Sequence, residues 1–561
     1  MTKLEIKIIE TKPFDGQKPG TSGLRKKVTE VMNGNYLGNF VQSIFNVLPK
    51  DKLKGSTLVV GGDGRYYNKQ AIQLIFQIAA ANGVGKILVG QNGLLSTPAI
   101  SAIVRARQAL GAIILTASHN PGGPKGDFGI KYNQSNGGPA PESITNAIYK
   151  ETTTITQIHS AENVNVSDLY TLQSHEWEGF TVEVIDSVSD YLTLLKSVFD
   201  FPSIKKFATD PTKNFRFNFD AMSGVTGVYG KRIFSDELGF PESCLINCIP
   251  SEDFNGGHPD PNLTYAPELV RKMNNGEFDM GCASDGDGDR NMILGNRFFL
   301  NPSDSVALIA ANYQAIPYFR NGLKGLARSM PTSAALERVA TDLKVPFFEV
   351  PTGWKFFGNL MDADTLSICG EESFGTGSDH IREKDGIWAI VCWLQILAFN
   401  NTTSLEEIVK KHWSKYGRNY YSRYDYEEID TKPAEEMMKH VSAQINSQEL
   451  VGKKFVGIQD NVTYEVAKCD DFEYKDPIDK SISSHQGLRI IFTDGSRIIF
   501  RLSGTGSTGA TVRVYFDKYE TKQDQLNNNV QIHLKSLIHI ALEEISKLKQ
   551  YTGRDEPNVI T

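Results

Sequence analysis

Apolar residues in the first third of the chain follow two rhythms. Short continuous runs end or fill the segments STLVVGGDGR (56–65), KILVG (86–90) and GAIIL (111–115), and these read as buried strands. Between them the apolar positions recur at helical spacing. NKQAIQLIFQIAAANG, 68–83, predicts a helix with Asn68 as its N-cap and Gly83 as its stop. A second helix opens at Ser96-Thr97-Pro98, with the proline in its first turn, and runs to about Leu110. Strand and helix alternate as in βαβ units, which predicts an α/β layered fold.

The rhythm returns twice more. NFRFNFDAMSGVTG (214–227) reads as a strand, a Gly-rich turn and the start of a helix, and FDMGCASDGDGDRNMILG (278–295) as strand, loop, strand. LARSMPTSAALERVATDLKVPFFEV (326–350) is strand, helix, strand. The three blocks share a rhythm without detectable sequence identity. Past about 418 the pattern becomes alternating and β-rich, with a hairpin turn at Asp494-Gly495 and a long last helix over about 525–548. The chain therefore divides into four expected domains: 1–190, 191–303, 304–418 and a separate α+β unit, 419–561. The longest apolar run, IWAIVCWLQILAF at 387–399, is too short to span a bilayer and reads as a buried helix.

The 561 residues exceed what one hydrophobic core serves, in keeping with several domains. A formal net charge of -7 argues against a general nucleic-acid binder, yet leaves room for a local cluster of Arg and Lys around a small anion. Charges interrupt the N-terminal MTKLEIKIIETKPFDG, so no secretory signal is read there. The six cysteines form no CxxC pair and are expected as buried free thiols in a reducing, cytoplasmic compartment. A monomer is expected, with a dimer as the alternative, and no stable membrane insertion.

The sharpest chemical signal is DGDGDR, Asp285 to Arg290. Its glycines let the backbone curl so that Asp285, Asp287 and Asp289 converge, and three hard oxygen donors suit Mg²⁺. An EF-hand is excluded because its sixth position would be Arg290 and its twelfth Asn296. A solvated acidic turn is the plain alternative, but crowded carboxylates repel one another at a cost that such a turn need not carry. RLSGTGSTGATVRVYF, 501–516, contains GxGxxG but leads into a strand, so it reads as an anion nest flanked by Arg501 and Arg513 rather than a dinucleotide site. GEESFG, 370–375, offers carboxylates and a hydroxyl suited to sugar hydroxyls, and PTGWKFFGNL and HIREKDG lie near it in sequence. GTSGLRKKV, 20–28, reads either as an anion contact or as a solvated basic helix start. Ser118, in TASHNPGGP, sits where a strand stops and a bent loop begins. It is not in a GxSxG elbow, and the chain has no GxxxxGK[ST] loop. A serine hydroxyl is a weak nucleophile at neutral pH, but it becomes useful as a phosphoryl carrier beside a Mg²⁺ site.

With these motifs in hand, the chain resembles the α-D-phosphohexomutase superfamily, and within it the eukaryotic-type α-phosphoglucomutases. GTSGLRKKV, TASHNPGGPKGDFGIKYN, DGDGDR, GEESFGTGSDHIREKDG and RLSGTGSTGATVRVY occur in that family's order and spacing over nearly the whole length. The resemblance implies three similar α/β mixed-sheet domains and a C-terminal α+β domain like the TATA-box-binding-protein fold, around a central cleft. It implies Ser118 as the phosphoserine, and Mg²⁺ held by Asp285, Asp287, Asp289 and an oxygen on Ser118. Arg25, His119, Lys131, Arg290 and Lys384 would line the reacting end. Glu371 and Ser373 would meet the sugar, with Thr21, Thr352 and Gly353 among the substrate contacts. Arg501, Ser503, Gly504, Thr505 and Arg513 would hold the distal phosphate. The implied activity interconverts glucose 1-phosphate and glucose 6-phosphate through glucose 1,6-bisphosphate, which also acts as activator. Mutases of other phosphosugars share the Ser and Asp loops, though GEESFG favours glucose. Non-catalytic scaffolding relatives would need neither Ser118 nor the aspartates, and a metal-dependent phosphatase would want an aspartyl nucleophile that nothing in the chain singles out.

Overall fold

The computed structural model describes residues 1–20, 22–503 and 509–561. Four large sheets organise them. In the first, the strands run in space Leu24–Lys27, Asp127–Gln134, Gly111–Leu115, Thr57–Gly62, Lys86–Leu94, Phe180–Ile185 and Ser174–Trp177. Thr57–Gly62 pairs in parallel with both neighbours, whereas Asp127–Gln134 returns antiparallel. The continuous apolar runs arise because both faces of this sheet are covered. Leu58 and Val60 pack among residues of the helix Asn68–Ala81, and Val59 and Ile114 among those of the helix Thr97–Ala106, as side-chain alternation requires.

The second and third sheets repeat the central part of this topology. The second runs Leu245–Ile246, Phe217–Asp220, Met280–Ser284, Asn291–Gly295, Phe298–Leu300; the third runs Phe347–Val350, Leu326–Ser329, Ile368–Gly370, Thr376–Ser378. Counting from Thr57–Gly62 in the first unit, the first strand of each lies in parallel between its second and third, and a fourth turns back antiparallel on the third. The turns between third and fourth strands are residues 116–126, 285–290 and 371–375. They carry Ser118, the three aspartates and the GEESFG carboxylates.

The buried helix expected at 387–399 is present as Gly386–Asn400, capped by Asp385, whose carboxylate accepts from Trp388 N at 3.0 Å. It is apolar all round because it joins a core shared by the second and third units, among Phe219, Tyr229, Val306 and Leu308. The C-terminal sheet has seven antiparallel strands, with Arg497–Ser503 and Ala510–Glu520 at its centre. One face packs on its own helices Thr431–Asn446 and Val530–His539, and the other sets Tyr421, Ile499 and Tyr515 against Trp354 and Phe357 of the third unit. All six cysteines are free thiols. No helix among the described residues is long and apolar enough to cross a membrane.

Three local expectations need correction. Asn68 is the first helical residue, not the cap; Tyr67 takes the cap position, and the Asn68 amide instead donates to Leu115 O at 3.1 Å. GTSGLRKKV does not start a helix at its basic residues: Leu24–Lys27 is a strand, and a single helical turn, Val28–Val31, follows it. The last helix begins at Val530 rather than near 525, and widens to a π-helical stretch at Ile540–Ile545.

The first turn of the helix Pro302–Ala311 buries Asp304, whose carboxylate accepts from Trp413 Nε1 at 3.1 Å. Burial pushes this carboxyl up to about 6. The folded value lies above the unfolded one, so the folded state gains stability from this group as pH falls from about 6 towards 4, and is penalised above 6. Asp304→Asn is expected to raise the unfolding midpoint at pH 7.5. Its advantage over wild type should shrink by about 1 kcal/mol on going to pH 5, read from denaturant curves at the two pH values.

Candidate active site

Ser118 follows the strand Gly111–Leu115 in a left-handed conformation, φ +53°, that a serine adopts only when held. A buried pair, Asp63 and Arg65, holds it. Thr116 Oγ1 donates to Asp63 at 2.6 Å and accepts from Ser118 N at 2.7 Å. Arg65 donates to Ser118 O at 2.9 Å, to Asp127 O at 2.8 Å, and through Nε to Asp63 at 2.9 Å. The Ser118 hydroxyl donates to Asp285 Oδ2 at 2.8 Å and lies 3.3 Å from His119 Nδ1. Burial, with the charges of Arg290 and Arg25 beside it, holds His119 well below the usual imidazole range, so its ring is neutral.

The turn 285–290 presses on that loop from the second unit. A Cβ at Gly286 would stand 2.6 Å from Ser118 O, and Gly288 has φ +83° with Thr226 and Ser96 against it, so neither position has room for a side chain. Asp285, Asp287 and Asp289 are buried and offer oxygens that all lie within 4.8 Å of one another. Among the described residues they are the one group of such side chains placed to hold an ion. Asp287 Oδ1 and Asp289 Oδ1 are buried with no hydrogen-bond partner among the described residues, as expected of atoms meant for an ion. Three carboxylate oxygens form a hard donor set that fits Mg²⁺. Burial and the neighbouring Asp287 and Asp289 push the Asp285 carboxyl well up. Burial alone would raise Asp287 too, but Lys131, the Thr97 hydroxyl and Lys384 outweigh it and bring that carboxyl below the usual range.

A cavity of about 660 Å³ connects this centre to the third and fourth units. It is lined by Arg25, Ser118, His119, Lys131, Arg290 and Lys384, by Thr352, Gly353, Glu371 and Ser373 of the third unit, and by Arg501, Ser503 and Arg513 of the fourth. Asp287 and Asp289 reach the cavity, whereas Asp285 stands behind Ser118. Lys384 Nζ is 3.2 Å from Asp289, and Lys131 Nζ is 3.0 Å from Glu383. Arg290 donates to Asp260 at 2.9 Å. Glu371 Oε1 accepts from Gly353 N at 3.1 Å, and burial pushes its carboxyl up. Arg501 and Arg513 face each other across adjacent strands. Thr21, Gly504 and Thr505 lie outside the described residues.

Several residues that shape this centre carry no local signal in the sequence. Asp63, Arg65 and Thr97 reach it from 53 to 190 residues away, and Glu383 pairs with Lys131 across 252. The one hint was GGDGR, a charged pair set directly after a buried strand.

Three alike α/β units and an antiparallel C-terminal unit each lend a turn or strand pair to one cavity rich in Arg, Lys and carboxylates, which marks an enzyme for a small anionic substrate. Family models agree. Those for the phosphoglucomutase/phosphomannomutase alpha/beta/alpha domains I, II and III match residues 16–159, 189–297 and 302–416, and that for the phosphoglucomutase-1 C-terminal domain matches 418–558. The chain belongs to the phosphoglucomutase/phosphomannomutase family, among its phosphoglucomutases. It is 80% identical to phosphoglucomutase-1 of Dictyostelium discoideum, covering 99% of both chains, and 57% identical to the cytoplasmic phosphoglucomutase of Solanum tuberosum, covering 100% of both. Among solved structures it is similar to the open form of pp63/parafusin, an exocytosis-sensitive phosphoprotein and phosphoglucomutase from Paramecium. That likeness has a TM-score of 0.90 and 49% identity over 100% of both chains.

The Asp63–Arg65 pair has a measurable role. Removing one partner of a buried ion pair costs about 3–5 kcal/mol, because the other charge is left uncompensated. Asp63→Asn is expected to lower stability by about that much in urea unfolding followed by circular dichroism. An unchanged midpoint would mean that Arg65 is satisfied without it.

Proposed function

We propose that the chain interconverts α-D-glucose 1-phosphate and glucose 6-phosphate through a phosphoserine at Ser118 and a glucose 1,6-bisphosphate intermediate. The observation that carries this reading is the hydrogen bond of 2.8 Å from Ser118 Oγ to Asp285, beside a cavity that Ser118 shares with Arg501 and Arg513. Asp285, Asp287 and Asp289, with an oxygen on Ser118, would hold Mg²⁺. Bound there, the ion supplies Lewis-acid neutralisation of charge on the phosphoryl oxygens.

This chain's own residues do the rest. Arg501, Ser503, Gly504, Thr505 and Arg513 grip the phosphate already on the sugar, and Glu371 and Ser373, with Thr21, Thr352 and Gly353, orient the ring. The free sugar hydroxyl then attacks the phosphorus on Ser118; the bond from phosphorus to the serine oxygen breaks as the bond to the sugar oxygen forms. Arg25, Lys131, Arg290 and Lys384 surround the moving phosphoryl group and offset its charge. His119, held neutral, can take the hydroxyl proton and pass it to the departing Ser118 oxygen, which lies 3.3 Å from its Nδ1. The bisphosphate turns end for end, and its second phosphoryl group returns to Ser118. Both orientations present one phosphate to each end, so a single distal clamp and a single sugar turn serve both half-reactions.

The four domains would divide this work as phosphoserine unit (1–190), metal unit (191–303), sugar unit (304–418) and phosphate unit (419–561). Relatives of similar length carry "cytoplasmic" in their names, and we place this chain in the same compartment, acting as a monomer.

The test is conversion of glucose 1-phosphate with Mg²⁺, primed with glucose 1,6-bisphosphate. Wild type should turn over rapidly, and Ser118→Ala should lose at least about a thousandfold, as removal of a covalent carrier does. Absence of turnover by wild type with both Mg²⁺ and the bisphosphate present would sink the glucose reading.

A further inference from the structure

Each of the three carboxylates in the turn 285–290 has one oxygen already engaged by the protein. Asp285 Oδ1 accepts from Arg290 N at 3.0 Å, Asp289 Oδ2 faces Lys384 Nζ at 3.2 Å, and Asp287 Oδ2 accepts from Thr97 Oγ1 at 2.7 Å. What remains are Asp285 Oδ2, shared with the Ser118 hydroxyl, and the two buried oxygens without partners, Asp287 Oδ1 and Asp289 Oδ1. The turn thus offers one oxygen per residue.

That count discriminates between cations. Ca²⁺ takes about six to eight oxygens at about 2.3–2.6 Å and commonly draws both oxygens of a carboxylate; Mg²⁺ wants near-octahedral single contacts at about 2.0–2.1 Å and completes its shell with water or phosphate. Two of the three restraints come from inside the catalytic apparatus, a backbone amide and Lys384. The third does not. Thr97 belongs to the first unit, at the start of the helix Thr97–Ala106, and does not line the cavity. It is fully buried, and its own amide donates to Asp287 O at 2.9 Å, so main chain and side chain grip the same aspartate from across the boundary between units.

We infer that Thr97 is a positioning residue that sets metal selectivity: by occupying Asp287 Oδ2 it restricts that carboxylate to one-oxygen coordination and biases the site towards Mg²⁺ over Ca²⁺. This rests on the metal reading of the site proposed above.

Thr97→Val keeps the shape and the backbone contact and deletes only the hydroxyl, and Thr97→Ala is a second deletion should the valine variant fold poorly. Metal-stripped full-length wild type, Thr97→Val, Thr97→Ala, Thr97→Ser and Asp287→Asn are titrated with Mg²⁺ and with Ca²⁺ by calorimetry. Wild type should bind one Mg²⁺ that Asp287→Asn loses. In the valine or alanine variant Mg²⁺ affinity should fall by about 10- to 100-fold, the range for losing a partner that orients a metal ligand. Ca²⁺ affinity should hold or rise, so the ratio of Mg²⁺ to Ca²⁺ affinity falls at least about tenfold, and Thr97→Ser should restore it. An unchanged ratio, whether both affinities stay the same or fall together, overturns the inference and leaves Thr97 a merely structural contact. Wild type that binds no cation lost in Asp287→Asn would instead remove the metal reading on which it stands.

Discussion

Three carboxylates in one buried six-residue turn are the constraint around which this protein is arranged. Unopposed, they could not stay ionised together, and the upward shift at Asp285 expresses its burial first and the charges of Asp287 and Asp289 second. The positive charges that oppose them come from separate units. Lys131 stands on the first sheet's returning strand, Arg290 closes the turn itself, and Lys384 lies in the third unit, just before the shared core helix. The cations are in turn held by acids: Glu383 on Lys131, Asp260 on Arg290. The centre exists only when the units are assembled, so the interfaces between them are part of the chemistry, not a scaffold behind it.

The repeated topology explains why the reactive groups meet. Two parallel pairings in each unit point their strands' carboxyl ends the same way, and in open α/β sheets that edge is where ligands bind. The turn from third to fourth strand leaves that edge in all three units. One such turn carries Ser118, one the three aspartates and one the carboxylates of Glu371 and Glu372, each on a return whose ends are fixed by strand pairing. Turns anchored at both ends in this way leave their side chains less freedom to lose.

Much of this was legible, and what was legible was local. The aspartates announced themselves through Gly-spaced repetition, the strand that follows RLSGTGSTG through its alternation, and the core helix through an apolar run with no polar face. The topological repeat was visible only as rhythm, since strand order leaves no trace in residue identity. Asn68 was misread because the capping rule counts backbone partners nearby in sequence, whereas here Leu115 O and Asp63 compete for the amide. Thr97 looked like an ordinary second residue of a helix start; its partner is 190 residues away. Asp63 and Arg65 looked like a turn for the same reason. Polar residues that position others are chosen by contacts formed at the end of folding, and a single sequence does not mark them.

On the proposed reading, Arg501 and Arg513 hold one end of the substrate and Ser118 faces the other. The distal arginines sit on a sheet that is pinned to the third unit, where Arg497 donates to Thr332 O at 2.7 Å and pairs with Asp517 at 2.8 Å. On that reading, either orientation of a bisphosphate places one phosphate at each end, so the two orientations differ little in electrostatic energy, while only the end bearing Ser118 can break a bond. Reorientation is therefore not opposed by binding, and the direction of transfer is set by where the serine is. On the same reading, water must be kept from the phosphoserine or it hydrolyses, and Arg25, Lys131 and Lys384, which line the cavity with Ser118, set their charge where the sugar hydroxyl is to attack.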